Sequence, residues 1–387
     1  MIINLWFQED KYLNINEIQK IKNRNYGIDL LRIFSMINIV NLHIILYSRQ
    51  IYLDYSNPKF KHIWRLEAFS YPAVNCFGLI SGIVGYKKYK FANIIYLWFQ
   101  TLFYSVCISY YLFFIEKLKK NNLIISFFPI LIKRSWYINA YFSMYILLPI
   151  INFGINSLKR TFFRNLIISV ILLFSVYDII GKIMGYSLNL FLNNGYSSMW
   201  LLLLYIIGSY IGKHIISYNN KCSYIYFISY ILIFFFSTFF NSEFFSKLYE
   251  LKNKLPKNIF ISYISPTTIM QAISLIMIFS KIKIKNKLLI KIITFLKPLT
   301  FSTLLIHEQL FQSKINKIIT LFNWIIKFKN KYLFYKIYGI GIIVYFICIL
   351  IDYLRFLLFK IFKIMNFSLF LENVYPELID KIIILLN

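Results

Sequence analysis

Long uninterrupted apolar runs constrain the fold of this 387-residue chain more than any other feature. Apolar residues make up 59% of the sequence and charged residues only 15%, against about 25% charged residues in an average soluble domain. Runs of about 20 apolar residues are long enough to cross a bilayer as helices. The pattern therefore predicts an all-α polytopic membrane protein with a bundle of about ten transmembrane helices. The predicted spans are Ile28–Leu46, Ala68–Tyr86, Phe91–Ile115, Trp136–Phe153, Leu166–Ile180, Met199–Ile216, Tyr224–Phe240, Ile259–Phe279, Leu299–Leu310 and Tyr338–Phe359.

One membrane domain, residues 26–363, accounts for these spans, and a shorter segment flanks it on either side. The apolar start of the chain is interrupted by Glu9, Asp10 and Lys11. We therefore expect residues 1–25 to form a cytoplasmic or interfacial segment. Residues 364–387 mix apolar and charged side chains, which is typical of an interfacial tail. An even number of spans places both termini on one side, and short basic loops on that side favour the cytoplasm.

The formal net charge of +28 comes mostly from lysines scattered over the loops. No basic helix or zinc motif accompanies them, so the charge does not indicate a nucleic-acid partner. The sequence also contains no GxxxxGK[ST] loop, GxGxxG loop or HExxH motif, which argues against an ATP-driven pump, a Rossmann domain and a zinc protease. We expect no metal.

The first predicted span contains Asp29, Arg32 and His43, three ionisable residues that are expensive to place in a bilayer and are therefore functional candidates. Eleven residues of helix separate Arg32 from His43 by about 16 Å along the axis but only about 20° around it. The two side chains are predicted to share one face at different depths. Asp29 lies on nearly the same stripe and can pair with Arg32. The alternatives are an Arg32 that only anchors the helix at the headgroups and a His43 that only bonds neighbouring helices.

A second buried imidazole is predicted in the ninth span, where His307 is followed directly by Glu308. An imidazole can accept and return a proton near neutral pH, although a purely structural role is equally open.

Softer polar signals occur in the second and fourth spans. Asn75 and Ser81 accompany two glycines, a composition that more often indicates close helix packing. Trp136 and Tyr137 open the fourth span, where interfacial aromatic residues are common.

Taken together, these residues resemble the acyltransferase 3 family, whose members O-acetylate bacterial surface polysaccharides. The strongest element runs from Arg24 through Asp29 to Arg32 with His43 eleven residues on, and it is similar to the first-helix Arg-to-His signature of the family. Four further motifs follow in the family's order over most of the chain. They are Phe77–Gly82, Trp136–Tyr145 with Pro149, Trp200 with Tyr205–Tyr210, and Leu305–His307.

The resemblance implies a helix bundle with a through-membrane cavity, in which an acyl group passes from cytoplasmic acetyl-CoA to a sugar hydroxyl outside a bacterial plasma membrane. Arg32 would hold the donor, Asp29 would orient Arg32, and His43 would act deeper as a general base or a transient acyl carrier. Relatives carry an Arg-rich motif after the second helix, where this chain has Lys87 and Lys88, and these lysines are the further candidates for donor binding.

The resemblance also implies an acceptor side of the site. His307 and Glu308 would contact the carbohydrate acceptor, and the candidates for the rest of the substrate path are Asn75, Ser81, Trp136 and Tyr137. The implied partners are acyl-CoA, a carbohydrate acceptor and membrane lipids, and homo-oligomerisation is left open.

Two other functions fit parts of the pattern. A non-enzymatic transporter or flippase for a glycolipid or polysaccharide intermediate would use the same buried Arg and His as a translocation path or proton relay. A polysaccharide polymerase is the third reading, but the large external loop usual in that class is missing.

Overall fold

The computed structural model describes residues 24–53, 57–87, 89–116, 120–130, 135–184, 192–216, 223–240, 259–313, 316–328 and 332–374. These residues are mainly helical and contain no strand. In chain order the helices are α1 Tyr26–Tyr47, α2 Phe60–Ser70, α3 Pro72–Gly85, α4 Phe91–Glu116, α5 Lys120–Ser126, α6 Trp136–Ser157, α7 Arg160–Ile171, α8 Tyr177–Ile183, α9 Ser198–Tyr210, α10 Ser223–Phe239, α11 Pro266–Ser280, α12 Lys287–Gln312, α13 Asn316–Ile326, α14 Leu333–Ile361 and α15 364–374.

Eight helical stretches of the described chain are long and apolar enough to cross a membrane. They are α1, α2 with α3, α4, α6, α7 with α8, α9 with its extension to Ile215, α12 and α14. The apolar helices α10 and α11 are shorter. Each of the ten predicted spans corresponds to one of these ten stretches, which confirms the prediction of an all-α polytopic membrane protein.

The three largest errors in the predicted boundaries each involve a proline. The second span begins at Phe60 rather than Ala68, because α2 leads directly into α3. Pro72 occupies the first turn of α3, where its missing N–H costs no hydrogen bond. The eighth begins at Pro266 rather than Ile259, and residues 259–265 form turns before it. The ninth predicted span starts after Pro298, whereas α12 continues through this proline over 26 residues.

Helix α1 lies between α3, α11, α12 and α14 and carries the first part of the candidate site. Asn25 caps its first turn by accepting a hydrogen bond from the Ile28 backbone N–H at 3.3 Å. Leu31 and Val40 are fully buried, and Asp29 is only 4% exposed. The surrounding helices therefore keep the charged part of α1 inside the bundle.

Helices α3 and α9 approach each other backbone to backbone. A Cβ atom at Gly82 would lie 2.0 Å from the Tyr205 carbonyl oxygen, and one at Gly208 would lie 2.1 Å from the Leu79 carbonyl oxygen. Glycine, which has no Cβ atom, permits the two helix backbones to approach this closely. The structure therefore confirms close packing as the reason for glycine in the second span. The contact fixes the position of α3, which also carries Phe77 and Ser81.

Helix α15 follows a sharp break, because Lys363 adopts a left-handed backbone conformation with φ 50°. Its residue Glu372 accepts a hydrogen bond from the Phe91 backbone N–H at 2.7 Å. A carboxylate at a helix N-terminus satisfies an unpaired donor and complements the helix dipole. The beginning of the predicted tail is thereby attached to α4, and residues 375–387 of that tail lie outside the described residues.

Candidate active site

Asp29 holds a cluster of three cations at one end of α1. Its Oδ2 accepts a hydrogen bond from Arg24 Nε at 2.7 Å, and its Oδ1 accepts one from Arg32 Nη1 at 3.0 Å. The Nζ of Lys297, from α12, lies 3.4 Å from Oδ1. The predicted pairing of Asp29 with Arg32 is therefore present, and the cluster carries a formal net charge of +2. A buried carboxylate among three cations offsets part of their desolvation cost and fixes their positions.

Arg32 and Lys297 line a cavity of about 350 Å³ between α1, α3, α4, α6 and α12. A second cavity of about 250 Å³ shares Arg32, Ser81 and Asn93 with it, so the two form one region. Tyrosine, asparagine, glutamine and serine side chains contribute to the walls. This region therefore combines fixed positive charge with many neutral hydrogen-bonding groups, the combination that suits a polar anionic ligand.

A buried ion pair supports the α4 wall of this region. Arg355 of α14 makes two hydrogen bonds to Asp352, Nε to Oδ1 at 2.7 Å and Nη2 to Oδ2 at 2.9 Å. Its Nη1 donates to the hydroxyl of Tyr96 at 2.9 Å, and Tyr104 donates to Asp352 at 2.6 Å. Because the Tyr96 oxygen accepts from Arg355, its own hydrogen is free to point elsewhere, and Tyr96 lines the Arg32 cavity.

His43 lies further along α1 and contacts His307 of α12. The distance from His43 Nδ1 to His307 Nε2 is 2.8 Å, and the ring centroids are 4.9 Å apart. The Nδ1 of His307 bonds the backbone carbonyl oxygen of Thr303 one turn earlier. The two histidines singled out in the sequence are therefore direct partners, 264 residues apart in the chain.

A narrow pocket of about 20 Å³, roughly room for one water molecule, lies beside His43. Trp136, Tyr263 and Glu308 contribute to its walls. Three aromatic side chains line both this pocket and the Arg32 cavity, and we call them the aromatic partition. They are Phe77, Tyr137 and Phe301.

The aromatic partition separates the cavity that Arg32 lines from the pocket that His43 lines, although both residues are on α1. Arg32 lines the wide region on one side of the three rings, and His43 lines the narrow pocket on the other. A ligand group thin enough to pass between aromatic rings would reach from one compartment to the other, whereas a bulky polar group would stay on its own side.

The remaining candidate residues divide into those that line a cavity and those that do not. Ser81 lines the Arg32 region, and its hydroxyl donates to the Phe77 carbonyl oxygen at 2.9 Å. Asn75 is fully buried, and both ends of its amide have protein partners. Its Nδ2 donates to the Tyr263 carbonyl oxygen at 2.8 Å, and its Oδ1 accepts from Trp200 Nε1 at 3.3 Å. Asn75 therefore joins the segment before α11 to α3 and α9 and does not line these cavities.

The basic loop after α3 is only partly described. Lys87 is exposed, and its ammonium group lies 5.6 Å from the centroid of the Tyr86 ring. Neither described cavity region includes Lys87 among its wall residues. Lys88 lies outside the described residues, so the two-lysine prediction stays open.

Sequence reasoning missed Lys297, Tyr96 and Arg355. Lys297 is one lysine among many in a basic chain, and only the packing of α12 on α1 brings it to Asp29. Arg355 carried one available signal, because Asp352 and Arg355 are three residues apart in an apolar helix, as Asp29 and Arg32 are.

The fold and the site define a polytopic helical membrane protein with a cation-lined cavity and a hydrogen-bonded histidine pair. A family model described as an acyltransferase domain matches residues 25–353, which include Arg32, Lys297 and both histidines of the pair. The chain belongs to the acyltransferase 3 family and is a membrane acyltransferase. Comparison with curated proteins and with solved structures finds no match.

Proposed function

We propose that this protein is a membrane O-acyltransferase that moves an acetyl group from acetyl-CoA to a hydroxyl of a bacterial surface polysaccharide or its lipid-linked precursor. It would act in the plasma membrane with both termini in the cytoplasm. The observation that carries the proposal is the arrangement of α1, on which Arg32 and His43 line two compartments that meet at the aromatic partition.

The Arg32 side suits the donor. Coenzyme A carries a diphosphate and a further phosphate, and guanidinium and ammonium groups bind such oxygens through charge-assisted hydrogen bonds. Arg32 and Lys297 provide these groups within one cavity, and Asp29 holds both in place. A linear pantetheine arm that passed between the three rings of the partition would present the thioester to His43.

The His43 side suits the acceptor. In the proposed step the His43 imidazole takes the proton of the sugar hydroxyl, and the hydroxyl oxygen attacks the thioester carbonyl carbon. The carbon–sulfur bond breaks, and the departing sulfur receives the proton from His43, which leaves an ester and free coenzyme A. General base catalysis of this kind contributes about 10²- to 10⁴-fold to rate. A transient acyl group on His43 is the other route by which this imidazole could act.

Trp136 and Glu308 would contact the acceptor. Trp136 packs against Tyr196 and Tyr263, with ring centroids 4.8 Å and 5.8 Å away, and lines the pocket. Because the pocket has room for about one water molecule, only the acceptor hydroxyl would enter it, and the Glu308 side chain would accept a hydrogen bond from that hydroxyl. The acceptor would enter from the end of the bundle where α6 begins.

The test is transfer of a radiolabelled acetyl group from acetyl-CoA to de-O-acetylated surface polysaccharide of the host cell by the purified protein in lipid. We expect labelled polysaccharide with the wild type and loss of turnover with folding intact for His43→Ala. Arg32→Ala should weaken donor use. Transfer that is independent of both side chains would reject the assignment, and export of a glycolipid without acyl transfer would favour the transporter. A collapse of His43→Ala expression would support a structural role for this histidine.

A further inference from the structure

We infer that His307 is the positioning residue that sets the protonation pattern of His43, so that the two imidazoles work as one proton-handling unit. The inference rests on the proposed function, since it describes how the same site would carry out acyl transfer. It differs from the acceptor-contact role that the family resemblance implies for His307.

The hydrogen-bond chain fixes which nitrogens carry hydrogen. A backbone carbonyl oxygen can only accept, so the His307 Nδ1 that bonds Thr303 must carry a hydrogen. A neutral imidazole has one hydrogen, which leaves His307 Nε2 as an acceptor. His43 Nδ1, 2.8 Å away, must then donate, and the lone pair of His43 is left on Nε2.

The hydrogen-bonded histidine pair lies in an environment that disfavours a charge on either ring. His307 is only 1% exposed, and the ring lies beside Phe311 at a centroid distance of 5.5 Å. A protonated pair would place a positive charge among mainly apolar side chains, which is costly. The other titratable groups that face the pair are Glu308 of α12, Tyr47 of α1 and Tyr137 of α6.

This pattern prepares His43 for the proposed step. Its Nε2 can take the hydroxyl proton without a prior tautomer change. The Nδ1–H bond to His307 then becomes charge-assisted, and such bonds are roughly twice as strong as neutral ones. The strengthening occurs only while His43 is protonated, so it favours the transition state over the resting state.

The experiment compares three substitutions at His307 with His214→Gln as a control, because His214 packs against Phe163 and Tyr210 and lines none of the cavities described above. His307→Gln places an amide oxygen where it can accept from His43 Nδ1. The shorter side chain of His307→Asn can bond the Thr303 carbonyl oxygen but cannot reach His43, and His307→Leu fills the volume without a polar atom. The readouts are kcat and donor KM for acetyl transfer, with thermal unfolding measured on each purified protein.

We expect kcat to fall about 100-fold for the Asn and Leu variants, the lower part of the range for a general base. Donor KM should stay within about threefold of the wild-type value for all variants, because His307 acts on the proton transfer through His43. His307→Gln should retain kcat within about fivefold of the wild type, because its amide oxygen replaces the acceptor for His43 Nδ1. Asn and Leu variants that fold and work like the wild type would overturn the inference, as would a folded Gln variant as slow as Asn. If the His307→Leu variant fails to fold, the comparison of kcat between the His307→Asn and His307→Gln variants decides the outcome. A wild type with no transfer would instead refute the proposed function and the inference with it.

Discussion

Replacing Gly82 with alanine tests the packing that positions α3 in the site. The new methyl group would lie 2.0 Å from the Tyr205 carbonyl oxygen and 2.8 Å from the Ser209 backbone nitrogen. Both of these are backbone atoms, so no side chain can rotate away. Helices α3 and α9 must therefore separate by about 1 Å to bring the first contact to 3.0 Å.

The cost follows from the chemistry of a crowded interface. Overpacking of a well-packed core costs about 1 to 3 kcal/mol. Alanine regains about 1 kcal/mol of helix propensity over glycine, so the net loss is up to about 2 kcal/mol. A shift of about 1 Å in Phe77 and Ser81, which α3 carries, would reduce acetyl transfer by up to about 100-fold.

Gly154→Ala is the matched control, because no atom lies within 4 Å of a Cβ built at this helical glycine. Thermal unfolding followed by tryptophan fluorescence in detergent should show a lower midpoint for Gly82→Ala and an equal or higher one for Gly154→Ala. Equal behaviour of the two variants in unfolding and in transfer would refute the close approach of α3 and α9.

Three further predictions concern the charged groups and the partition. Asp352→Asn leaves the Arg355 guanidinium buried without a counter-charge and should destabilise the protein by about 3 to 5 kcal/mol, visible as a large fall in the unfolding midpoint; an unchanged midpoint would contradict a buried pair. Lys297→Gln should raise donor KM about tenfold with kcat unchanged, corresponding to about 1.4 kcal/mol of lost binding, whereas the exposed Lys285→Gln should change neither constant. Phe301→Ala removes one ring of the partition and should increase hydrolysis of acetyl-CoA by water at least about threefold relative to transfer, because desolvation of the thioester is reduced; a constant ratio of hydrolysis to transfer would argue against the partition as a barrier.

The existence and order of the helices were predictable, because an apolar run long enough to cross a bilayer is typical of a transmembrane helix. Sequence reasoning failed where the chain does not mark its boundaries by hydropathy. The ninth span was predicted to begin at Leu299, yet α12 begins at Lys287 and continues through Pro298. Pro72, in contrast, begins a new helix, α3, but α2 and α3 together form one span. A proline in a membrane helix is ambiguous until its neighbours are known.

The features of the candidate site that lie on one helix were predictable from the sequence. Those that depend on contacts between helices were not. The spacing on one helix is enough to indicate the pairing of Asp29 with Arg32 and the shared face of Arg32 and His43. No spacing rule could pair His43 with His307 or bring Lys297 to Asp29, since each contact joins α1 to α12 through the packing of the bundle. The aromatic partition likewise combines residues from α3, α6 and α12.

The central claim is that donor and acceptor meet at the partition from opposite faces of the membrane. Vesicles of uniform orientation that contain the protein, with membrane-impermeant acetyl-CoA on one side and polysaccharide on the other, test it directly. Transfer should occur only when acetyl-CoA is on the side where α1 begins, next to Arg32, and it should stop when the two compounds are exchanged. Equal transfer with acetyl-CoA on the His43 side would contradict the account.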